Sequence, residues 1–232
     1  MSEVNQRYMV DATDVHKTYE TGSFQVKALQ GIDVQVEKGE MVAVMGPSGC
    51  GKTTLLNCLS GIDSINQGTI LIAGSPIHQL GDDELSDFRS KFMGFVFQTY
   101  NLLPVLNALE NVELPLLIAG YSQSIATERA KEKLALVNLE GWGKHLPSEL
   151  SGGQQQRIAL ARALVNDPEI VWADEPTGNL DSKNEREIMD LIIRLNKDNT
   201  QTFVLVTHSD TVGAQADRII LMQDGLIETG QI

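Results

Sequence analysis

The stretch GPSGCGKTT occupies residues 46–54 and fits the spacing G-x-x-x-x-G-K-[ST]. Glycines at Gly46, Gly49 and Gly51 let successive backbone N–H groups turn inward onto phosphate oxygens, and a helix starting here adds partial positive charge. The Lys52 ammonium reaches the β- and γ-phosphates in such a loop, and the Thr53 hydroxyl sits on Mg²⁺. Ser48, Cys50 and Thr54 complete the stretch expected to bind the nucleotide. A second run, IVWADE at residues 170–175, supplies the carboxylates this chemistry needs. Asp174 closes an apolar strand and is placed to hold Mg²⁺ through water, while Glu175 is placed to orient or deprotonate an attacking water. Together these residues imply a nucleotide hydrolase.

A third stretch, LSGGQ at residues 150–154, precedes a helical pattern and is again an anion cradle, with helix-start N–H groups and the Ser151 hydroxyl. One nucleotide already has its phosphate loop, so a second γ-phosphate binder is redundant unless it serves another subunit. A head-to-tail pair of chains resolves this: Ser151, Gly152, Gly153 and Gln154 of one chain close over the nucleotide of the other.

The elements that must position these residues are visible in the apolar patterning. MVAVMG (41–46), EIVWAD (169–174), FVLVTH (203–208) and RIILMQ (218–223) read as buried strands of a parallel sheet. Helical patterns lie over 52–60, 154–165 and roughly 183–197; in the second, Ile158, Ala161 and Leu164/Val165 recur at helical spacing. This order argues for an α/β fold. IDVQVEKG and GTILIAG alternate polar and apolar residues, as half-exposed antiparallel strands do. The middle, roughly 100 to 165, is helical instead, with Ala130, Leu134 and Val137 on one face.

Composition narrows the partners. The net charge of −13 over 232 residues disfavours broad contact with nucleic acid or anionic lipid. No apolar run approaches the roughly 18–20 residues a bilayer span needs. The start, MSEVNQRYMVDATD, lacks the basic and apolar segments of a secretory signal. Cys50 and Cys58, the only cysteines, have no zinc or disulfide spacing, which suits a reducing compartment.

On these motifs and their order the sequence resembles the ATP-binding subunits of ABC transporters along essentially its whole length. Gly46 to Thr53 matches the family's Walker A motif, Leu150 to Gln154 its signature, and Ile170 to Asp174 with Glu175 its Walker B and catalytic glutamate. The resemblance further implies roles for four residues. Tyr19 stacks on adenine, Gln98 is the Q-loop ligand of Mg²⁺, Asp181 of NLD ties two sites across a dimer interface, and His208 is the switch histidine at the γ-phosphate. It implies a single domain over 1–232: a RecA-like α/β P-loop core, an amino-terminal antiparallel β lobe, and a helical lobe inserted at about 100–165. ATP and Mg²⁺ are the implied cofactors. The implied partners are a second copy of the chain and a separate transmembrane permease, with the chain peripheral on the cytoplasmic face of the membrane and no nucleic acid bound.

NLLPVLNALENVELPLLIAG after Gln98, and DEPTGNLD around Glu175, resemble the lipoprotein-release and macrolide-exporter branch. There the run from Gln98 to about Leu116 is the expected permease dock; its alternative role is to pack the helical lobe. Cys50 departs from the family's usual serine or glycine, and its place beside a helix start and Lys52 suggests a lowered thiol pKa. With DGLIETG near its end the sequence is expected to carry no regulatory domain, and neither the long coiled-coil insertion of DNA-repair ATPases nor the second cassette of translation-associated ones is expected. The alternative function is the ATPase of a non-transporting membrane complex that gates cell-wall hydrolysis in cell division.

Overall fold

Alternation of apolar and polar residues builds the first elements of the computed structural model, which describes residues 7–22 and 24–228. The reading of the amino terminus falls partly on residues 1–6, and that of the carboxyl end partly on 229–232, outside the described residues. Two compact units are distinguished: one from the chain start to Ser86 together with Asn196 onward, the other Asp87–Leu195.

In the first unit, β1 (Tyr8–Thr21) and β2 (Phe24–Glu37) form a long antiparallel hairpin. Leu29, Ile32, Val34 and Val36 turn inward along β2 while the residues between them face outward. β4 (Gln67–Ile72) pairs with the other edge of β1, and the short β5 (Ser75–Pro76) completes an antiparallel sheet in the order β2-β1-β4-β5. The alternating segments are thus antiparallel strands, as their pattern requires.

The same unit holds parallel strands. β3 (Met41–Met45) lies between β8 (Thr202–Val206) and β9 (Arg218–Gln223), parallel to both, and β10 (Leu226–Ile227) adds an antiparallel edge to β9. All five residues of β3 and of β8 are buried. β9 departs from the expected buried strand: Ile220 and Met222 are buried but Leu221 is 42% exposed, so it packs through one face only. Helix α1 (Lys52–Leu59) follows β3 and buries Leu55, Leu56, Cys58 and Leu59. A short helix, α7 (Asp210–Gly213), follows β8.

In the second unit, β6 (Met93–Phe97) pairs parallel with β7 (Ile170–Asp174), placing Phe97 opposite Asp174. Neither β6 nor the helix before it, α2 (Asp82–Phe92), stands out in the sequence; α2 is amphipathic but short and buries no residue. The helices expected over roughly 100–165 are α3 (Ala108–Ile118), α4 (Gln123–Leu136) and α5 (Gly152–Leu164), which pack on one another. Ala130, Leu134 and Val137 are buried together with Val112 and Leu116 of α3, as the spacing anticipates. α6 (Ser182–Asn199) buries Ile188, Met189, Leu191, Ile192 and Leu195. Among the described residues no helix is long and apolar enough to cross a membrane.

The loop before α3 is held by one buried side chain. Asn107 caps the helix reciprocally with Glu110, and Pro115 removes an N–H that the Asn111 carbonyl would otherwise receive. The Asn111 side chain, wholly buried, accepts the Leu103 N–H at 2.8 Å and donates to the carbonyls of Leu106 at 2.9 Å and Asn107 at 3.0 Å. Asn111→Ala should therefore lower stability by about 2–3 kcal/mol, because it strands buried backbone groups. Urea unfolding of the variant reads this directly, and an unshifted midpoint would show that the loop does not depend on the amide.

Candidate functional site

In the first unit the phosphate loop leaves the carboxyl end of β3 and enters α1. Gly46 takes φ 150°, and a Cβ there would lie 2.1 Å from the Met222 carbonyl oxygen, so the chain passes only without a side chain. Gly51 is the helix N-cap, with no side-chain cap, and no acidic residue occupies the first turn. The helix start therefore keeps its positive end for an anion rather than neutralising it internally. Ser48, Gly49 and Thr53 are exposed along the loop, and Thr54 is half-buried.

Lys52 is 8% exposed and folds back over the loop, its Nζ donating to the carbonyls of Gly46 and Pro47 at 2.8 Å each. The ammonium thus stands over the cradle before any phosphate arrives. Cys50 Sγ lies 3.9 Å from Lys52 Nζ, the adjacency expected from the sequence, yet the thiol is buried at 5% exposure. Cys58 is also free and buried, and burial, with the nearby Asp63 charge adding to it, pushes its thiol pKa up to about 12.

Parallel pairing puts a second group at the same end of this sheet. Val44 of β3 is in register with Val206 of β8, so His208, two residues past β8 and exposed, emerges beside the loop that follows Met45. Tyr19 lies on β1, 37% exposed, and its hydroxyl donates to Asp63 Oδ2 at 2.6 Å.

In the second unit the same rule places Gln98 and Glu175. Gln98 follows the end of β6, and Asp174 is the last residue of β7. Asn179 Nδ2 donates to the Gln98 carbonyl at 2.9 Å, and Gln98 Nε2 lies 3.4 Å from Asn179 Oδ1, so the Gln98 segment is held against the NLD segment. Glu175 adopts φ 48°, and the Gly178 N–H closes a turn onto its carbonyl at 3.1 Å. Left-handed backbone at a non-glycine residue costs about 1–3 kcal/mol, and here the turn holds Glu175 in it.

The signature stretch differs slightly from its reading as a segment before a helix: Gly152 and Gly153 form the first turn of α5 itself. Ser151 is the exposed N-cap; its Oγ accepts the Gln154 N–H at 3.3 Å while Gln154 Oε1 accepts the Ser151 N–H at 2.9 Å. Accepting through Oγ leaves the Ser151 hydroxyl proton able to donate to a phosphate oxygen. Gly153 is buried, and a Cβ there would lie 2.3 Å from Asn184 Oδ1. Gln156 of α5, also buried, donates through Nε2 to the Pro176 carbonyl, tying the signature helix to the turn after Glu175.

Asp181 is exposed and has an intramolecular task that the motif match does not reveal. Its Oδ1 accepts the N–H groups of Lys183 at 3.0 Å and Asn184 at 2.9 Å, and Oδ2 accepts Asn184 Nδ2 at 2.8 Å. These bonds, first those from Asn184, hold its carboxyl pKa below the usual value and cap α6. His16 and His145, which match no motif, are half-buried and bond to Asp14 and the Trp142 carbonyl; His78 bonds to Ile70. Trp172 is a core residue, whereas Trp142 is 37% exposed and packs at a tilt against the His145 ring.

Sequence reasoning missed Lys17, Asp63 and Asn184. Lys17 carried a weak signal, since it is two residues from Tyr19 on one strand. Asp63 and Asn184 carried none.

A glycine-rich loop between a buried strand and an uncapped helix start, carboxylates at a strand end, and a serine-capped helix start define a phosphate-loop ATP-hydrolysing cassette. The chain matches the ABC transporter family over residues 29–178, more than half its length, and belongs to that family. It is 46% identical to the lipoprotein-releasing system ATP-binding protein LolD of Bacteroides thetaiotaomicron, over 95% of this chain and 99% of that one. It is 44% identical to the macrolide export ATP-binding/permease protein MacB of Bdellovibrio bacteriovorus over 96% of this chain, which spans only 34% of that protein. An ATP-binding cassette of Methanocaldococcus jannaschii, solved as a dimer in a post-hydrolysis state bound to ADP and Pi, superposes with a TM-score of 0.89 at 43% identity, covering 97% of this chain and 98% of that one. The chain is an ATPase cassette of the ABC type, with the α/β architecture and antiparallel β lobe expected from its motifs.

Burial of both thiols makes a prediction about reactivity. Near neutral pH a maleimide should label Cys58 far more slowly in the folded protein than in urea, since its thiol stays protonated. Cys50 should label faster than Cys58, and ATP should slow that labelling. Peptide mass spectrometry measures both, and rapid native labelling of Cys58 would contradict its buried, protonated state.

Proposed function

We propose that the chain is the ATP-hydrolysing subunit of a membrane transporter of the export or lipoprotein-release type, working as an ATP-dependent head-to-tail pair of chains. The observation that carries this reading is the exposed Ser151 cap at the start of α5, a second anion cradle in a chain that already has a phosphate loop. The dimeric, product-bound cassette of the similar archaeal protein supports it.

In this scheme Tyr19 stacks on adenine, and the N–H groups of the loop with Lys52 hold the β- and γ-phosphates. Thr53, Gln98 and Asp174 are the residues that would hold Mg²⁺. Among the described residues no cluster of three acidic, histidine or cysteine side chains could hold a metal alone. A hydroxyl, an amide and a carboxylate sharing an ion with phosphate oxygens suit Mg²⁺, which supplies charge neutralisation at the phosphates. The partner's Ser151 and the partner's Gly153 close over the γ-phosphate, and Asp181 joins the two sites. Glu175 takes a proton from water as the water oxygen bonds to the γ-phosphorus. The bond from that phosphorus to the bridging oxygen breaks, and ADP and phosphate leave. His208 holds the γ-phosphate and the attacking water in line.

Glu175→Gln should lower ATP turnover by about 10²–10⁴-fold, the usual loss on removing a general base. It should also accumulate an ATP-bound dimer on size-exclusion chromatography, and a variant that stays monomeric at saturating Mg-ATP would refute the head-to-tail scheme.

The separate permease docks, in this reading, on the stretch from Gln98 to about Leu116 and its surroundings, at the cytoplasmic face of the membrane. The apolar run divides between two tasks. Ala108, Val112 and Leu116 are buried, whereas Leu103 is 43%, Val105 82% and Ile118 74% exposed. A cavity of about 410 Å³ lies within the second unit, lined by Phe95, Phe97, Leu114, Pro115 and Ile118 among others. Ile118 at this hollow and the exposed Leu103 and Val105 suit a protein partner. Val105→Glu with Ile118→Glu should abolish co-purification of the permease from membranes of the native host while leaving ATP binding intact. Recovery of the same membrane protein in undiminished amount would exclude this dock. A recovered partner whose external domain binds cell-wall hydrolases would instead select the cell-division complex.

A further inference from the structure

The geometry points to Lys17 and Asp63 as positioning residues for the base of the nucleotide: they fix the Tyr19 ring relative to helix α1 and so set the span between adenine and the phosphate loop. This rests on the reading of Tyr19 as the adenine-stacking residue and deepens it.

Lys17 and Tyr19, two residues apart on β1, both reach the Asp63 carboxylate. Lys17 is 7% exposed, an unusual burial for an ammonium, and its Nζ donates to Asp63 Oδ1 and to the Ser64 carbonyl at 2.6 Å each. The same ammonium lies 5.0 Å from the centroid of the Tyr19 ring, within cation–π range. The other carboxylate oxygen of Asp63 accepts the Tyr19 hydroxyl at 2.6 Å. Asp63 therefore binds the lysine with one oxygen and the phenol with the other, and the lysine closes the triangle against the ring.

The triangle is anchored on α1. The backbone N–H groups of Ile62 and Asp63 donate to the Asn57 carbonyl at 2.9 and 3.0 Å, holding Asp63 at the carboxyl end of that helix. The loop is further stitched to β1, since Asn66 Oδ1 accepts the Thr18 N–H at 2.7 Å and the Asn66 N–H donates to the His16 carbonyl at 2.9 Å. The aromatic ring is thus tied, through Asp63, to the carboxyl end of the helix whose start carries the phosphate loop. A ring that could rotate or slide would stack on a base at no defined distance from the triphosphate. A ring held at hydroxyl and face presents its exposed part, 37% of the residue, at one distance only.

A merely structural ion pair and a positioning role differ in one measurable way: only the second acts through the base. Isothermal titration with Mg-ATP and with Mg-tripolyphosphate, which has the phosphates but no base, separates them. Tyr19→Ala should weaken ATP binding by about tenfold, the size of one lost base stack, and leave tripolyphosphate binding unchanged. Lys17→Met and Asp63→Asn should each weaken ATP binding by about three- to tenfold, again sparing tripolyphosphate, and should add nothing in the Tyr19→Ala background. Tripolyphosphate binding doubles as the test of folding, and Asp63→Asn carries the experiment if the lysine variant does not fold. Equal losses for both ligands, or additive losses in the double variants, would overturn the positioning role while leaving Tyr19 as the stacking residue. A Tyr19→Ala protein with the native ATP-to-tripolyphosphate ratio would remove the stacking role, and the positioning role with it.

Discussion

Parallel strand pairing is the constraint on which the candidate chemistry depends. A parallel strand can be followed by another only through a crossover, so the carboxyl ends of paired strands gather on one side. In the first unit the phosphate loop follows β3 and His208 follows β8, two strands held in register from Met41 and Phe203 to Val44 and Val206. In the second, Gln98 follows β6, Asp174 ends β7 and Glu175 comes next. The buried residues of β3, β7 and β8 stabilise these strands by excluding water from both faces, and the polar chemistry begins where that burial stops.

Helix ends then decide which groups face a ligand and which serve the chain. α1 begins without a side-chain cap, which leaves its positive end for phosphate. α5 begins with a reciprocal cap between Ser151 and Gln154 that orders the signature without consuming the serine proton. α6 is capped by Asp181, so a residue expected at an interface already has two oxygens engaged within its own chain. Three helices of one cassette thus use the same orphan N–H groups in three ways.

Polar side chains, buried at Asn111 and Gln156 and exposed at Asn179, hold the remaining loops. Asn111 gathers the loop before α3 and leaves Val105 outside, Asn179 holds the Gln98 segment, and Gln156 reaches the turn after Glu175. Each bridges backbone that regular structure leaves unpaired, which explains their low exposure or their place beside functional segments. The apolar run after Gln98 is both packing and surface, because helical periodicity turns Val112 and Leu116 inward and Ile118 outward.

Much was legible from residue order alone. The glycine and lysine spacing of the phosphate loop, the carboxylates ending an apolar strand, the signature before a helical repeat and the alternating amino-terminal strands are all local patterns, because phosphate cradles, caps and periodicity are made by neighbours in sequence. The tertiary structure decided what depends on distant segments. It starts α5 two residues earlier than the apolar repeat suggests and packs β9 through one face. It also sets Asp63 against Tyr19 across 44 residues and Asn179 against Gln98 across 81. A single side chain such as Asp63 has no period and no spacing to reveal its partner. Only the return of the chain brings its carboxylate within reach of a phenol and an ammonium, and that return is set by the packing of the whole unit.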